Sequence, residues 1–367
     1  MLSSIAVALL FLTCTTLTLS LLLVLAEKWI LNYGPCSIDV NNGQKKLDVL
    51  GGSSLLGSLA ENEIFIPSAC GGRGSCAYCK VKVLNGGGPV SPIESPYLSD
   101  QEIKDKVRLS CQVKVRQDIK VEIPDELFKA KRFQAVASSK KMLTYDTMEL
   151  GLDLKEPGQI DFKAGQYIQL ESAPYKGRDS VIRAYSISSL PSDQNRIELI
   201  MRRVPEGICT TWAFDHLEAG ERIFFSGPYG EFKLQNTKAP AVFIAGGSGM
   251  APIWSILRDM QERKISKKSI YFFSGRTFDD LFFTDELRAL EKTLPDFKYI
   301  PCLTREPEDS GWTGERQRIP EVLPRYIPDA SEYEAYLCGS SALIEACCAG
   351  LSRLGLKDEK MYFDKFE

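Results

Sequence analysis

The sequence predicts a multidomain chain: one N-terminal transmembrane helix, a small β-grasp unit, an antiparallel β-barrel, and an α/β part with a parallel sheet. Three observations predict this class. The first 26 residues carry no charged side chain, which is typical of a membrane segment. Residues 130–235 contain many short apolar runs between turns, and residues 238–367 alternate apolar strands with helices. A chain of 367 residues also exceeds what one core usually holds.

The composition excludes several classes of function. The net charge of −3 provides no basic field for nucleic acid, so no nucleic-acid partner is expected. With 1 histidine, the chain cannot form a Rieske centre or a bis-histidine haem site. Its 11 cysteines in 367 residues do not suggest a disulfide framework, and we expect reduced thiols.

Residues 1–27 are predicted to form a single-pass membrane anchor. About 20 apolar residues suffice to cross the hydrocarbon core as a helix. Glu27 and Lys28 then supply a charged stop, and Trp29 an interfacial aromatic. A cleaved signal peptide is the alternative, but the segment has no positively charged start and no small-residue cleavage site. Because the nearest positive charges follow the segment, the positive-inside rule places the body in the cytoplasm.

A glycine-rich loop in the next part, residues 33–127, contains closely spaced cysteines. The loop reads Cys70-Gly-Gly-Arg-Gly-Ser-Cys76-Ala-Tyr-Cys79, and Cys111 follows in a later segment. Three thiolates from one tight loop and a fourth from elsewhere form the ligand set of a [2Fe–2S] cluster. A structural zinc site is the main alternative, although zinc ribbons pair two C-x2-C knuckles and this chain has one such spacing.

Strand and helix patterns around this loop predict a β-grasp unit. The apolar alternation and the turn residues indicate strands over 36–51 around an Asn-Asn-Gly turn, a helix over 53–60, a strand over 80–84, a polar helix over 98–106 and a strand over 119–123.

The predicted barrel, residues 130–235, carries a run of functional residue types. In Arg183-Ala-Tyr185-Ser186, an Arg can neutralise a pyrophosphate, a Tyr can stack on a flat ring and a Ser can bond a ring nitrogen. Taken alone, this short pattern is more often ordinary strand sequence. It gains weight because Gly207-Ile-Cys209-Thr210 follows, a small-residue turn that opens a helix and can hold phosphate.

The predicted α/β part, residues 238–367, begins with a glycine turn between an apolar strand and a helix. Gly247, Ser248 and Gly249 stand where a dinucleotide-binding turn requires small residues. The alternation of apolar runs with helical patterns predicts strands over 241–245, 269–274, 297–303 and 334–338, and helices over 251–263, 285–293 and 341–354.

These motifs, in this order, resemble the ferredoxin–NADP reductase superfamily over residues 130–367. With the cysteine loop and the apolar segment added, the whole chain is similar to the family of NADH-oxidising F subunits of the Na+-translocating NADH:quinone oxidoreductases. The five-residue gap after Cys70, the Gly86-Gly-Gly88 run and the ending Phe-Asp-Lys-Phe366-Glu carry this narrower resemblance. It implies FAD, a 2Fe-2S cluster and NADH as cofactors.

The resemblance also implies roles for individual residues. Arg183 would hold the FAD pyrophosphate, Tyr185 would stack on the isoalloxazine, and Ser186 would bond its N5 edge. Phosphate groups would be contacted by Gly207, Cys209 and Thr210, and the NADH pyrophosphate would be held by Gly247, Ser248 and Gly249. Arg276 would lie near the adenosine ribose, and the nicotinamide site would be bordered by Cys338 and Gly339. Phe366 would cover the flavin.

The implied function is that of an enzyme, a membrane-anchored NADH dehydrogenase module. It would pass a hydride from NADH to FAD, then single electrons to the 2Fe-2S cluster and on to other subunits of a quinone reductase complex in the bacterial inner membrane. Two alternatives stay open. One is the NADH-dependent reductase component of a multicomponent oxygenase, and the other is a non-catalytic ferredoxin-like subunit. The run Ser274-Gly-Arg276 suits NADH or NADPH, so NADH rests on the resemblance.

Overall fold

A computed structural model describes residues 10–22, 33–68 and 70–366. The chain divides into two units, one ending at Phe128 and the other beginning at Lys129. Residues 10–22 are helical (α1). None of the helices in the described ranges combines the length and the apolar character that membrane crossing requires. Of the predicted anchor over residues 1–27, residues 1–9 and 23–27 lie outside the described part of the chain.

The first unit is built on a five-stranded mixed sheet with the strand order β2-β1-β5-β3-β4. Among the strand pairs that the structure describes in this sheet, β1–β5 alone is parallel. Asn41 and Asn42, both at positive φ, form the turn between β1 and β2, as predicted. The elements are β1 (Pro35–Val40), β2 (Lys45–Leu50), α2 (Leu55–Glu61), β3 (Lys80–Asn85), α3 (Asp100–Lys104), β4 (Val107–Leu109) and β5 (Ile119–Glu122).

A buried ion pair ties the segment that follows β3 to β4. The Arg108 guanidinium donates to both carboxylate oxygens of Glu94, at 2.9 and 2.7 Å, and Glu94 is fully buried. Arg108 also donates to the carbonyl oxygens of Gly87, Gly88 and Pro89 at 2.8 to 3.0 Å. Since each charge is paired and hydrogen-bonded, the pair can remain away from water. It fixes β4 shortly before the turn that carries Cys111.

The second unit begins with a six-stranded antiparallel sheet in the order β10-β7-β6-β11-β8-β9. A bridge between Ile187 and Leu199 joins its two ends, so the sheet closes into the predicted barrel. Stacked rings of Phe133 and Phe225, 4.9 Å apart, lie in its core. The elements are β6 (Lys131–Met142), β7 (Thr147–Glu156), β8 (Tyr167–Glu171), β9 (Ile182–Ser186), β10 (Arg196–Arg202), α4 (Ile208–Asp215) and β11 (Arg222–Tyr229).

A five-stranded parallel sheet in the order β14-β13-β12-β15-β16 follows in the same unit. The middle residues of its central strands are apolar because helices cover both faces. Phe243 packs on the α5–α6 side and Ile244 on the α7–α8 side. The elements are β12 (Ala241–Gly246), α5 (Met250–Glu262), β13 (Ser269–Gly275), α6 (Thr284–Thr293), β14 (Phe297–Leu303), α7 (Ile319–Tyr326), β15 (Glu334–Ser340), α8 (Ser341–Arg353) and β16 (Met361–Phe366).

The predicted strands and helices of the parallel sheet are confirmed, with ends shifted by a residue or two. Two elements carried no prediction. Helix α7 contains Pro324, which argues against a helix when the sequence is read alone. Strand β16 forms from a tail whose apolar and polar residues show too little alternation to predict a strand, and it pairs with β15 along its length.

We expect Glu94→Gln to destabilise the first unit by about 3 kcal/mol, because the buried Arg108 then lacks its counter-charge. Urea unfolding of the full chain, followed by circular dichroism, measures this. Glu102→Gln is the matched control, since Glu102 pairs with Lys80 at 2.7 Å but is one-third exposed, and its loss should cost less than about 1 kcal/mol. Equal costs for the two variants would contradict the assignment.

Candidate functional site

The four cysteines of the predicted cluster site lie as two sulfur pairs in the first unit. The Sγ atoms of Cys70 and Cys76 are 3.4 Å apart, and those of Cys79 and Cys111 are 3.3 Å apart. Cys79 and Cys111 are buried, whereas the other pair is half-buried. The fold therefore brings together all four residues that the sequence analysis selected.

In each pair one thiol donates and the other accepts. Burial opposes ionisation of Cys70, but the backbone N–H of Ser75 and the thiol of Cys76 outweigh it and lower the pKa of Cys70 to about 6. The thiol of Cys79 and the amide of Gln112 likewise lower the pKa of Cys111 to about 7, against the effect of burial. Thiolates are the form in which cysteine binds metal. Burial raises the pKa of Cys76, and the hydrogen bond to Cys111 raises that of Cys79, so the site favours one ionised sulfur in each pair.

This arrangement fits a two-iron cluster. Each iron of a [2Fe–2S] centre takes two protein ligands, so two sulfur pairs match its ligand set. Within the described ranges, no three or more Cys, His, Asp or Glu side chains are arranged around one ion. The loop can curl around a cluster because Gly71, Gly72 and Gly74 adopt φ of 65°, 87° and 80°, which is the left-handed region. The residues that would hold the cluster are Cys70, Cys76, Cys79 and Cys111.

In the second unit, strand β9 carries the residues predicted to bind a flavin. Tyr185 and Cys209 share a side-chain hydrogen bond. Burial raises the pKa of Cys209 to about 11, although that bond and the charge of Arg183 lower it in part. The structure thus brings Arg183, Tyr185 and Cys209 together at the junction of β9 and α4.

The turn that opens α4 is arranged to receive an anion. Gly207 is its N-cap and provides no capping side chain, so the first N–H groups of the helix lack that partner. Thr210 closes the turn, since its hydroxyl accepts from the Val204 N–H at 3.2 Å. A Cβ on Gly207 would lie 2.7 Å from that hydroxyl oxygen, which explains the glycine.

The glycine turn after β12 has the geometry of a nucleotide-binding turn. Gly247 adopts a φ of 56°. Gly249 lies directly against the backbone of Cys338, where a side chain would overlap the Cys338 carbonyl. Arg202 reaches this turn from the barrel, since its Nη1 would be 3.6 Å from a Cβ on Gly247. Its Nε donates to Asp146 at 2.8 Å.

The barrel and the parallel sheet meet at Ser186, Asp364 and Cys338. Ser186 is buried at the end of β9, and its hydroxyl donates to Asp364 Oδ2 at 3.4 Å. In β16, Asp364 pairs in register with Cys338 of β15. Burial raises the pKa of Asp364 to about 6, against the effect of the Ser186 hydrogen bond. Burial and the nearby Asp364 together raise the pKa of Cys338 well above its usual range.

The other predicted site residues of this sheet lie along its carboxyl edge. Gly339 and Ser340 follow Cys338, and Phe366 stands in register with Ser340. Arg276 follows β13 with an exposed side chain. Its backbone N–H donates to Asp280 at 2.6 Å, and the Tyr145 hydroxyl donates to the same carboxylate at 3.1 Å.

Comparison with known families matches three stretches of the chain. Residues 38–116 match the 2Fe-2S iron-sulfur cluster binding domain, residues 134–234 the oxidoreductase FAD-binding domain, and residues 243–349 the oxidoreductase NAD-binding domain. The three matches coincide with the cysteine loop, the barrel and the parallel sheet. They confirm the predicted cofactor classes.

Curated relatives match nearly the whole chain. The F subunit of the Na(+)-translocating NADH-quinone reductase of Neisseria meningitidis is 33% identical, covering 96% of this chain and 97% of the relative. The protein of that name from Pseudomonas aeruginosa is 32% identical, covering 96% of both chains. This chain belongs to the same F-subunit family. The resemblance inferred from the sequence is therefore confirmed.

Solved structures share the layout of this F-subunit family member. A cytochrome P450 reductase of Amycolatopsis superposes with a TM-score of 0.73 at 27% identity, covering 90% of this chain and 98% of that chain. The ferredoxin reductase of carbazole 1,9a-dioxygenase gives 0.70 at 25% identity, covering 91% and 99%. The fold is thus common to reductases that serve different systems.

The sequence analysis missed Asp364 and Arg202. Asp364 stands within the motif Phe-Asp-Lys-Phe366 that carried the family resemblance, but without knowledge of β16 its place beside Ser186 had no sequence signal. Arg202 ends a barrel strand, where an arginine is common. Only the contact with the Gly247 turn, which lies 45 residues further along the chain, marks it as a site residue.

We expect the substitution Asp364→Asn to stabilise the protein relative to the wild type, and this stabilisation should grow as the pH rises. The pKa of Asp364 lies near 6 instead of 3.8, so the folded state holds this proton more tightly than the unfolded state does. Ionisation then costs stability, and the cost appears as the pH rises from about 4 to above about 6. Asparagine carries no charge and avoids this cost. The cost is at most about 3 kcal/mol, and it is smaller than this limit because Asp364 is not fully buried.

Thermal unfolding at pH 5 and pH 8 measures the effect. The unfolding temperature of Asp364→Asn should exceed that of the wild type, and this difference should be larger at pH 8 than at pH 5. Asp309→Asn is the control, since Asp309 is exposed in a loop of the same unit. A difference that does not change with pH would contradict the assignment to Asp364.

Proposed function

We propose that the chain is the NADH-oxidising subunit of a quinone reductase complex and delivers electrons one at a time. Its membership of the F-subunit family and the three matched domains support this function. A flavin bound in the barrel would couple NADH, which gives two electrons as a hydride, to a cluster that carries one electron at a time. The main structural support for the proposal lies where the barrel packs against the parallel sheet. There, Ser186 is hydrogen-bonded to Asp364, which pairs in register with Cys338.

The barrel residues bind and orient the flavin in this proposal. Arg183 neutralises the pyrophosphate, and Tyr185 covers one face of the ring. The helix α4 directs its uncapped N–H groups, following Gly207, at the phosphates. The hydroxyl of Ser186 is held at the edge of the ring by Asp364, and with a pKa near 6 that carboxyl can hold or release a proton near neutrality.

The parallel sheet binds the dinucleotide. The turn of Gly247, Ser248 and Gly249 cradles the pyrophosphate, and the guanidinium of Arg202 adds a positive charge beside that turn. Cys338 and Gly339 border the nicotinamide, and the buried, neutral Cys338 thiol excludes water there. Arg276 lies near the adenosine ribose, and Phe366 covers the flavin until NADH displaces it.

We also propose the division into an anchor (1–27), a cluster domain (33–127), a flavin barrel (130–235) and a nucleotide domain (238–367). The anchor spans a bacterial inner membrane once, with the body in the cytoplasm. The lack of charge in residues 1–26 and the lysines that follow support this orientation. The other subunits of the complex receive the electrons, and quinone is the final acceptor.

A reductase component of an oxygenase system is the second candidate. It is favoured by the likeness to the P450 and carbazole dioxygenase reductases over 90% and 91% of the chain. Isolation of the anchored protein in mild detergent separates the two. Co-purification of other subunits of a membrane quinone reductase supports the first function, whereas pairing with a soluble oxygenase supports the second.

Variants of the two redox sites test the electron path. Ser186→Ala should slow flavin reduction by NADH about ten-fold without loss of FAD, because one hydrogen bond worth roughly 1.4 kcal/mol is removed. Cys76→Ala should leave flavin reduction unchanged and abolish reduction of a one-electron acceptor that draws on the cluster. Stopped-flow absorbance of flavin and cluster measures both.

Cys36→Ala is the matched control for Cys76→Ala. Cys36 is a buried cysteine of the same unit outside the cluster loop, so its removal should change neither reaction. Absence of NADH-dependent flavin bleaching in the wild type, or zinc in place of iron and sulfide in anaerobically purified protein, would refute the proposed function.

The proposed orientation predicts the result of a topology assay. Alkaline phosphatase fused at the C-terminus should be inactive and a fluorescent protein bright, because the fused domain stays in the cytoplasm. Fusion of both reporters to a chain that begins at residue 33 controls for loss of the anchor, and that protein should leave the membrane fraction. Periplasmic phosphatase activity from the full chain would overturn the orientation.

A further inference from the structure

Gln112 links the two segments that form the cysteine site. Its side-chain Nε2 donates to the Gly72 carbonyl oxygen at 3.1 Å and to the Cys111 sulfur at 3.4 Å. An amide nitrogen carries two hydrogens, so both bonds can exist together. Gln112 therefore joins the loop that supplies three of the ligands to the sulfur of the fourth.

Gly74 provides the space that this amide occupies. A Cβ at position 74 would lie 2.9 Å from Gln112 Nε2 and 2.8 Å from Ile93 Cγ2, and both are closer than real contacts allow. Gly74 also adopts a φ of 80°, which other residues rarely accept. The loop thus requires glycine here partly because Gln112 packs over it.

The backbone of Gln112 is itself fixed. Its N–H donates to the Leu109 carbonyl at 2.8 Å, and the nearby Arg108 is held by its buried pair with Glu94. Gln112 is half-buried, so the amide stays within reach of the sulfur instead of moving to solvent. The amide donor is therefore preorganised, and little conformational entropy is lost when it bonds the sulfur.

We propose that Gln112 is a positioning residue that makes the cluster easier to reduce. The inference rests on the proposed cluster. One-electron reduction adds negative charge to the cluster and its thiolates, and an N–H donor to a ligand sulfur stabilises that charge more than it stabilises the oxidised form. Gln112 also ties the fourth ligand to the loop through Gly72. The residue therefore sets how readily the cluster takes an electron from the flavin.

Gln112→Leu in the full chain removes both donors at similar size. At the wild-type midpoint potential, we expect the ratio of reduced to oxidised cluster to fall about ten-fold, which corresponds to a midpoint about 59 mV more negative. An EPR-monitored redox titration measures it, and flavin reduction by NADH should not change. Gln101→Leu is the matched control, because Gln101 is exposed on α3 and bonds only Asp105 among the contacts described.

A measurement on the wild type covers the case in which Gln112→Leu loses its cluster. Protein labelled with 15N only at glutamine side chains should show a 15N coupling to the reduced cluster in pulsed EPR. Absence of that coupling overturns the inference, as does an unchanged midpoint in Gln112→Leu that is fully loaded with iron and sulfide, or an equal shift in Gln101→Leu. Wild-type protein without iron and sulfide would instead refute the proposed function.

Discussion

The pairing of β16 with β15 is the constraint on which the nucleotide half of the molecule depends. Parallel register places Asp364 beside Cys338 and brings its carboxylate to Ser186 of the barrel. A shift of one residue would reverse the faces of the strand and move Asp364 away from both partners. The last strand of the sheet therefore decides whether Ser186 of β9 and Cys338 of β15 lie at one site.

The two candidate sites differ in their electrostatic environments. At the cysteine site, backbone and side-chain donors lower the pKa of Cys70 and Cys111 and so favour one negative sulfur in each pair. At the junction of barrel and sheet, burial raises the pKa of Asp364 to about 6 and the pKa of Cys338 well above its usual range, so the thiol stays neutral. The first environment provides thiolates, the form in which cysteine binds metal, and the second provides a neutral thiol beside a carboxyl that exchanges its proton just below neutral pH.

Much of the fold and the cysteine site could be predicted from the sequence, because cysteine spacing and apolar runs are local features of the chain. The cysteine spacing selected all four paired sulfurs, and the apolar runs located the central strands of the parallel sheet. Contacts between distant segments could not be predicted in this way. The partnership of Arg202 with the Gly247 turn and of Asp364 with Ser186 arises only when barrel and sheet pack together. Gln112 is an ordinary polar residue until its amide is seen next to a sulfur.

The burial of Cys338 has a consequence for chemical modification studies. With no accessible surface and a thiol pKa far above neutrality, this side chain offers almost no thiolate to an alkylating reagent in the folded protein. Inactivation by maleimide or iodoacetamide would therefore report on other cysteines or on transient opening of the strand pair. Protection of Cys338 against such labelling can serve as a probe of whether the last strand is in place.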